Sequence, residues 1–138
     1  MELELKEPVK VSVGDENYLT HIKMRQHKIV ADEPETLGGK DEGATPYELL
    51  LASLGSCTVI TLKMYSQNKK WDLHKVNAEL NLFSEVVDGQ KKTTIFRNIS
   101  LEGNLDETQK ERLLQIAKAC PVAKILAGKI EVESKLKQ

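Results

Sequence analysis

The side chains best suited to chemistry are two thiols, Cys57 and Cys120, the only cysteines in the chain. A thiolate is a nucleophile that oxidises reversibly to a sulfenic acid and then to a disulfide, so a cysteine pair admits a redox cycle. The same residues also suit an inert role, because free cysteine is among the most buried residue types and packs as a small hydrophobe. A thiol that reacts with peroxide has to ionise near neutral pH, which calls for a cation, a hydrogen-bond donor or a helix N-terminus beside it. Only Arg25, Arg97 and Arg112 offer guanidinium groups. His21, His27 and His74 follow no metal-ligand spacing, so no metal site is expected.

Positioning these thiols falls to a few elements. Cys57 lies in the stretch GGKDEGATPYELLLASLGSCTVITLKMYSQN, Gly38 to Asn68. Thr45 as N-cap, Pro46 at the first helical position and Glu48 at N3 announce a helix start with a capping box. The helix that follows is apolar on nearly every side, from Leu49 through Met64, with only small residues between. Such a helix belongs in the middle of a fold. Its length raises the question of a membrane span, but Ser, Thr and Gly interrupt it and Glu48 and Lys63 stand near its ends, so a buried helix and no membrane are expected. Cys57 is mid-helix and gains nothing from its own helix dipole.

Cys120 stands at a different boundary. Asp106 with Gln109 forms a second capping box, and Leu113, Leu114, Ile116 and Ala117 give a helical apolar stripe. That helix must stop near Cys120, because a residue before proline is pushed out of the α region. Pro121 then starts a short helix, Val122 to Ala127, ended by Gly128. Cys120 thereby precedes a turn with unpaired N–H groups.

The remaining pattern is of strands. Glu2 to Val13 alternates, with Val9, Val11 and Val13 on one face, and Tyr18 to Met24 and Lys28 to Ala31 make two further short strands. Asp32, Glu33, Pro34 and the Gly38-Gly39 pair form a loop. Leu73 to Val87 and Thr93 to Leu101 make a long hairpin around Asp88-Gly89. Lys129 to Lys135 places Ile130 and Val132 on one face as a last strand. The order predicts a single α+β domain over residues 1–138, with a sheet closing on a long buried central helix.

Composition sets bounds on function. A net charge of −1 gives no electrostatic reason to expect nucleic acid or anionic lipid as a partner. The N-terminus, MELELKEPVK, lacks a basic segment followed by an apolar one, so no secretory signal and a cytoplasmic compartment are expected. In a reducing compartment two cysteines are either core residues or a redox pair.

Two segments carry a family resemblance. GGKDEGATPYELLLASLGSCTVITLKMY and FRNISLEGNLDETQKERLLQIAKACPVAKIL resemble the OsmC/Ohr family of thiol-dependent peroxidases, in its OsmC-like branch. The likeness covers most of the chain from Asp32 on, with PYELLLASLGSC and CPVAK as its most specific parts. It implies an OsmC-like fold: an intertwined homodimer in which sheets wrap two long helices and both active sites lie at the subunit interface. Cys57 is then the peroxidatic thiolate and Cys120 the resolving thiol. Attack on the distal peroxide oxygen leaves a sulfenic acid at Cys57, which condenses with Cys120 to a disulfide. A small thiol or a dihydrolipoyl-type dithiol reduces it, and no cofactor is needed. Ohr proteins also use an arginine from the N-terminal strands and a glutamate ahead of the nucleophile. Arg25 sits in the corresponding part of the chain, with Arg97 as a substitute. Tyr47 occupies the Ohr glutamate position, whereas Glu48 matches a glutamate common in the OsmC-like branch. Ala123 stands where that branch often has histidine.

Two functions remain open on the sequence. One is a peroxidase of organic hydroperoxides and hydrogen peroxide in oxidative-stress defence. The other is a non-catalytic dimeric module that binds a small ligand or senses redox state, suggested by Tyr47 standing in place of the Ohr glutamate.

Overall fold

The computed structural model describes residues 2–137. It divides into two compact units, one ending at Leu50 and the other beginning at Leu51.

The first unit is built on a three-stranded antiparallel sheet of order β1 (Lys10–Val13), β2 (Thr20–Met24) and β3 (His27–Ala31). Strand β2 is central, with Ile22 opposite both Val11 and Ile29. The first strand is shorter than the expected Glu2 to Val13. Its ladder begins at Lys10 opposite Lys23, and β2 ends one residue later at Met24, so a strand reaching back to Glu2 would run past the end of its partner.

Beyond β3 the loop folds around one carboxylate. Asp32 is buried, and its oxygens accept from the backbone N–H groups of Glu33 (2.8 Å), Glu42 (3.1 Å), Tyr18 (3.2 Å) and Lys40 (3.3 Å). Burial pushes its pKa up, but the four donors outweigh that and hold it below the ordinary carboxylate value. Gly39 lies so close that a Cβ there would collide with the Glu33 carbonyl and the Asp32 carboxylate.

Helix α1 (Pro46–Lys69) opens with the expected box: Thr45 N–H donates to Glu48 Oε1 at 2.9 Å, and Glu48 N–H donates to Thr45 Oγ1 at 3.2 Å. Most of α1 belongs to the second unit, with a long antiparallel hairpin of β4 (Asp72–Val87) and β5 (Gln90–Asn104). Its turn residues Asp88 and Gly89 both have positive φ, 51° and 78°, as a tight hairpin turn requires. Helix α2 (Glu107–Lys118) and helix α3 (Pro121–Ala127) follow. Leu62 of α1, Leu73 of β4, and Leu113 and Ala117 of α2 form the buried cluster of this unit, flanked by Val76, Ile99 and Leu101.

Three expectations fare differently here. The α2 capping box is present in full, Gln109 N–H donating to Asp106 Oδ1 at 2.8 Å and Asp106 N–H to Gln109 Oε1 at 2.9 Å. Asp106→Ala is expected to lower stability by about 1 kcal/mol, read from chemical denaturation. The last strand, in contrast, does not form. Residues 129–135 have no regular structure, and Val132 is 84% exposed. Two apolar residues on one face do not hold a strand that has no neighbouring edge to pair with.

Burial of α1 is the third difference. Within the chain only the stripe Leu54, Thr58, Leu62 and Ser66 is fully covered, while Ile60 is 52% and Met64 65% exposed. A two-stranded hairpin and two short helices cannot enclose a helix that is apolar all round.

Candidate active site

The site grows from the buried stripe of α1. Thr58 is fully buried, so its hydroxyl needs partners of its own. It donates to the Leu54 carbonyl one turn back (2.7 Å) and accepts from Nη1 of Arg97 (2.9 Å). Arg97 comes from β5, where it lies opposite Leu80, and the hairpin register brings its guanidinium onto α1.

The same nitrogen reaches a sulfur. Arg97 Nη1 stands 3.7 Å from Cys120 Sγ. Cys120 has no solvent exposure and caps α3 in an extended conformation, φ −65° and ψ 147°, with Pro121 as the first helical residue. The Ala123 N–H and the Cys57 thiol lie near enough to its sulfur to favour the thiolate. Burial pushes the Cys120 pKa up, while the Ala123 N–H, the Cys57 thiol and the Arg97 hydrogen bond and charge pull it down, leaving it below the ordinary cysteine value. Cys57 differs in setting: it is half-buried, and its other polar neighbour is Thr61 Oγ1 at 3.9 Å.

A consequence follows for pH. Because the folded-state value of Cys120 is depressed, the folded protein binds fewer protons than the unfolded chain between the two values. The stability this supplies is present above the ordinary cysteine value of about 8.5 and is lost as pH falls through the folded-state value. In the Cys57→Ser variant, ultraviolet thiolate absorbance is expected to titrate with a midpoint below about 8.5, and Arg97→Met is expected to raise that midpoint.

The structure thus brings together Cys57, Cys120 and Arg97. Arg112 is engaged elsewhere, donating through Nε to the Tyr65 hydroxyl (3.1 Å) and through Nη1 to Gln115 (3.2 Å). Arg25 and Glu48 belong to the first unit. Arg25 lies in the turn between β2 and β3 with φ 57°, its guanidinium 3.5 Å from the Gln26 side-chain oxygen. Glu48 is held in the helix cap, and its two hydrogen bonds with Thr45 keep its carboxyl below the ordinary value. Thr58, which passes in the sequence as a small spacer, joins the cluster. Its signal is its place on the Leu54–Leu62 stripe, since a hydroxyl on a buried face requires a partner.

The comparisons with known proteins fit this arrangement. The family model described as OsmC-like protein matches residues 39–135, and the chain belongs to that family. Three solved structures share its fold. One is a Psychrobacter arcticus protein assigned to osmotic-stress induction and detoxification response, at 23% identity and a TM-score of 0.73, covering 91% of each chain. Another is an OsmC-like protein of Mycoplasma pneumoniae, at 20% identity and a TM-score of 0.72, covering 91% of this chain and 90% of that one. The third is an organic hydroperoxide resistance protein OsmC of Legionella pneumophila, at 19% identity and a TM-score of 0.68, covering 92% and 93%. No curated protein matches the chain. The fold is therefore α+β, with two antiparallel sheets and three helices in the OsmC/Ohr arrangement.

Proposed function

We propose that the protein is a cofactor-free thiol peroxidase that reduces organic hydroperoxides and hydrogen peroxide in oxidative-stress defence in the cytoplasm. The observation that carries this reading is the Cys120 thiol, fully buried with its sulfur 3.7 Å from the Arg97 guanidinium and near enough to Cys57 for that thiol to favour its thiolate.

The roles follow from exposure and charge. Cys57 is the thiol that solvent reaches, so it meets the peroxide, while Cys120 is sealed beneath it. The Cys57 thiolate attacks the distal peroxide oxygen, the O–O bond breaks, and alcohol or water leaves once the departing oxygen takes a proton. The sulfenic acid formed is then attacked at sulfur by Cys120. Hydroxide departs as water, and the Cys57–Cys120 disulfide remains. A small thiol or a dihydrolipoyl-type dithiol restores both thiols. Arg97 is the guanidinium this reading assigns to the pair, in preference to Arg25, because Arg97 touches one of the sulfurs. Glu48 is assigned to the helix cap.

The reading includes a homodimer. Ile60 and Met64 leave an apolar face on α1, and Phe83 and Phe96 stack on the hairpin with ring centroids 5.6 Å apart while half-exposed. A second copy of the chain would cover such surfaces, and sedimentation velocity is expected to give twice the chain mass. Three structural neighbours named as organic hydroperoxide resistance proteins, of Legionella pneumophila, Vibrio cholerae and Elizabethkingia anophelis, support the peroxidase reading.

The reading is tested by turnover. Purified protein with dihydrolipoamide is expected to consume cumene hydroperoxide and hydrogen peroxide without added cofactor. Consumption no faster than the uncatalysed reaction for both peroxides would favour a binding or sensing module instead.

A further inference from the structure

The two sulfurs of the pair are not equivalent. Cys57 Sγ is half-buried, with one long polar contact, to Thr61 Oγ1 at 3.9 Å. Cys120 Sγ has no solvent exposure and faces the guanidinium of Arg97 at 3.7 Å. Arg97 is fixed in turn by its 2.9 Å hydrogen bond to Thr58, which is anchored on the Leu54 carbonyl. The cation is therefore held in place beside one sulfur of the pair. Thiol–disulfide exchange has a direction that such an asymmetry sets: the entering thiolate needs access to the sulfur it attacks, and the sulfur whose thiolate is better stabilised leaves faster. Both criteria select the same bond polarity here.

We propose that when the Cys57–Cys120 disulfide is reduced, the entering thiol attacks Cys57 Sγ and Cys120 leaves as a thiolate beside Arg97. The inference rests on the disulfide of the preceding subsection and names how that bond is opened. In the first step the small-thiol thiolate bonds to Cys57 Sγ, the Cys57–Cys120 bond breaks, and its electron pair goes to Cys120. In the second step another thiolate, or the second thiol of a dithiol, attacks the outer sulfur of that mixed disulfide. It releases Cys57 and leaves the reductant as its own disulfide. Two reductant thiols are oxidised and two protein thiols restored. Arg97 thereby serves the reductive half of the cycle, as the cation that receives the leaving group. The recognition element for the reductant lies around Cys57, on the same open side through which the peroxide arrives.

The test forms the disulfide with diamide, so it does not depend on peroxide chemistry. Oxidised wild-type protein, freed of diamide, is mixed with limiting 2-mercaptoethanesulfonate, acid-quenched at early times, alkylated with N-ethylmaleimide and mapped by peptide mass spectrometry. The expected products carry the small thiol on Cys57 and the maleimide on Cys120, in about tenfold excess over the reverse pattern. Small-thiol adduct mainly on Cys120, or an even mixture, would overturn the proposal. As a second measurement, Arg97→Met is expected to slow disulfide reduction about tenfold, with partial recovery in Arg97→Lys. A folded Arg97→Met protein reduced at the wild-type rate counts against the assignment, and if that variant does not fold, the wild-type map decides alone. No disulfide with either diamide or peroxide removes the proposal. A disulfide with diamide but none with peroxide sinks the peroxidase reading and leaves the direction of opening to be read from the map.

Discussion

Cys57→Ser is expected to abolish peroxide turnover, lowering the rate at least about a thousandfold, because removing the nucleophile of a covalent cycle leaves only what binding and local dipoles supply. The substitution should leave the fold intact. Cys57 is half-buried, its Sγ contact to Thr61 is long at 3.9 Å, and serine is a close match in shape. Far-UV circular dichroism unchanged from wild type, together with lost consumption of cumene hydroperoxide, is the expected combination. Cys120→Ser should behave differently. Its first oxidation still occurs, but with no second thiol the Cys57 sulfenic acid persists and is driven up the oxidation ladder, so intact-mass spectra should show a sulfinic acid after repeated exposure. Substantial turnover in Cys57→Ser would move the nucleophile to Cys120 and reverse the roles assigned above.

The largest expected effect on stability lies in the cluster that joins α1, the hairpin and α2. Leu113 is fully buried there against Leu62, Leu73 and Ala117. Leu113→Ala should cost about 3 to 4 kcal/mol, combining the lost transfer energy of the side chain with the cavity left behind. For a chain of this size that corresponds to a fall in Tm on the order of 10 °C. Leu114, the next residue, is half-exposed, and Leu114→Ala should cost much less. The pair of variants separates burial from helix propensity, since both place the same residue in the same helix.

Much of the frame was legible in local sequence. The two capping boxes at Thr45 and Asp106, the Asp88-Gly89 turn and the break before Pro121 each rest on a few neighbouring residues, and each appears in the structure. Interactions that depend on what lies across the chain were harder to read. Arg97 was one of three guanidinium groups, and it is singled out only because the β4–β5 register turns it onto α1. Thr58 gained its meaning from the same contact. The alternation at Ile130 and Val132 resembled a strand, yet a strand exists only beside an edge that pairs with it. The all-round apolar character of α1 was legible as a demand for cover, but the sequence did not say how much of that cover one chain provides. The structure covers one stripe and leaves Ile60 and Met64 exposed.

The most direct test of the peroxidase reading is the rate at which fully reduced protein loses thiols on mixing with excess cumene hydroperoxide, followed by stopped flow with free cysteine as reference. The account predicts oxidation at least about a hundredfold faster than free cysteine, the range that a positioned thiol supplies. Two thiols should disappear and one Cys57–Cys120 disulfide appear. A rate equal to that of free cysteine would contradict it, and would leave the thiol pair as part of the core of a binding module.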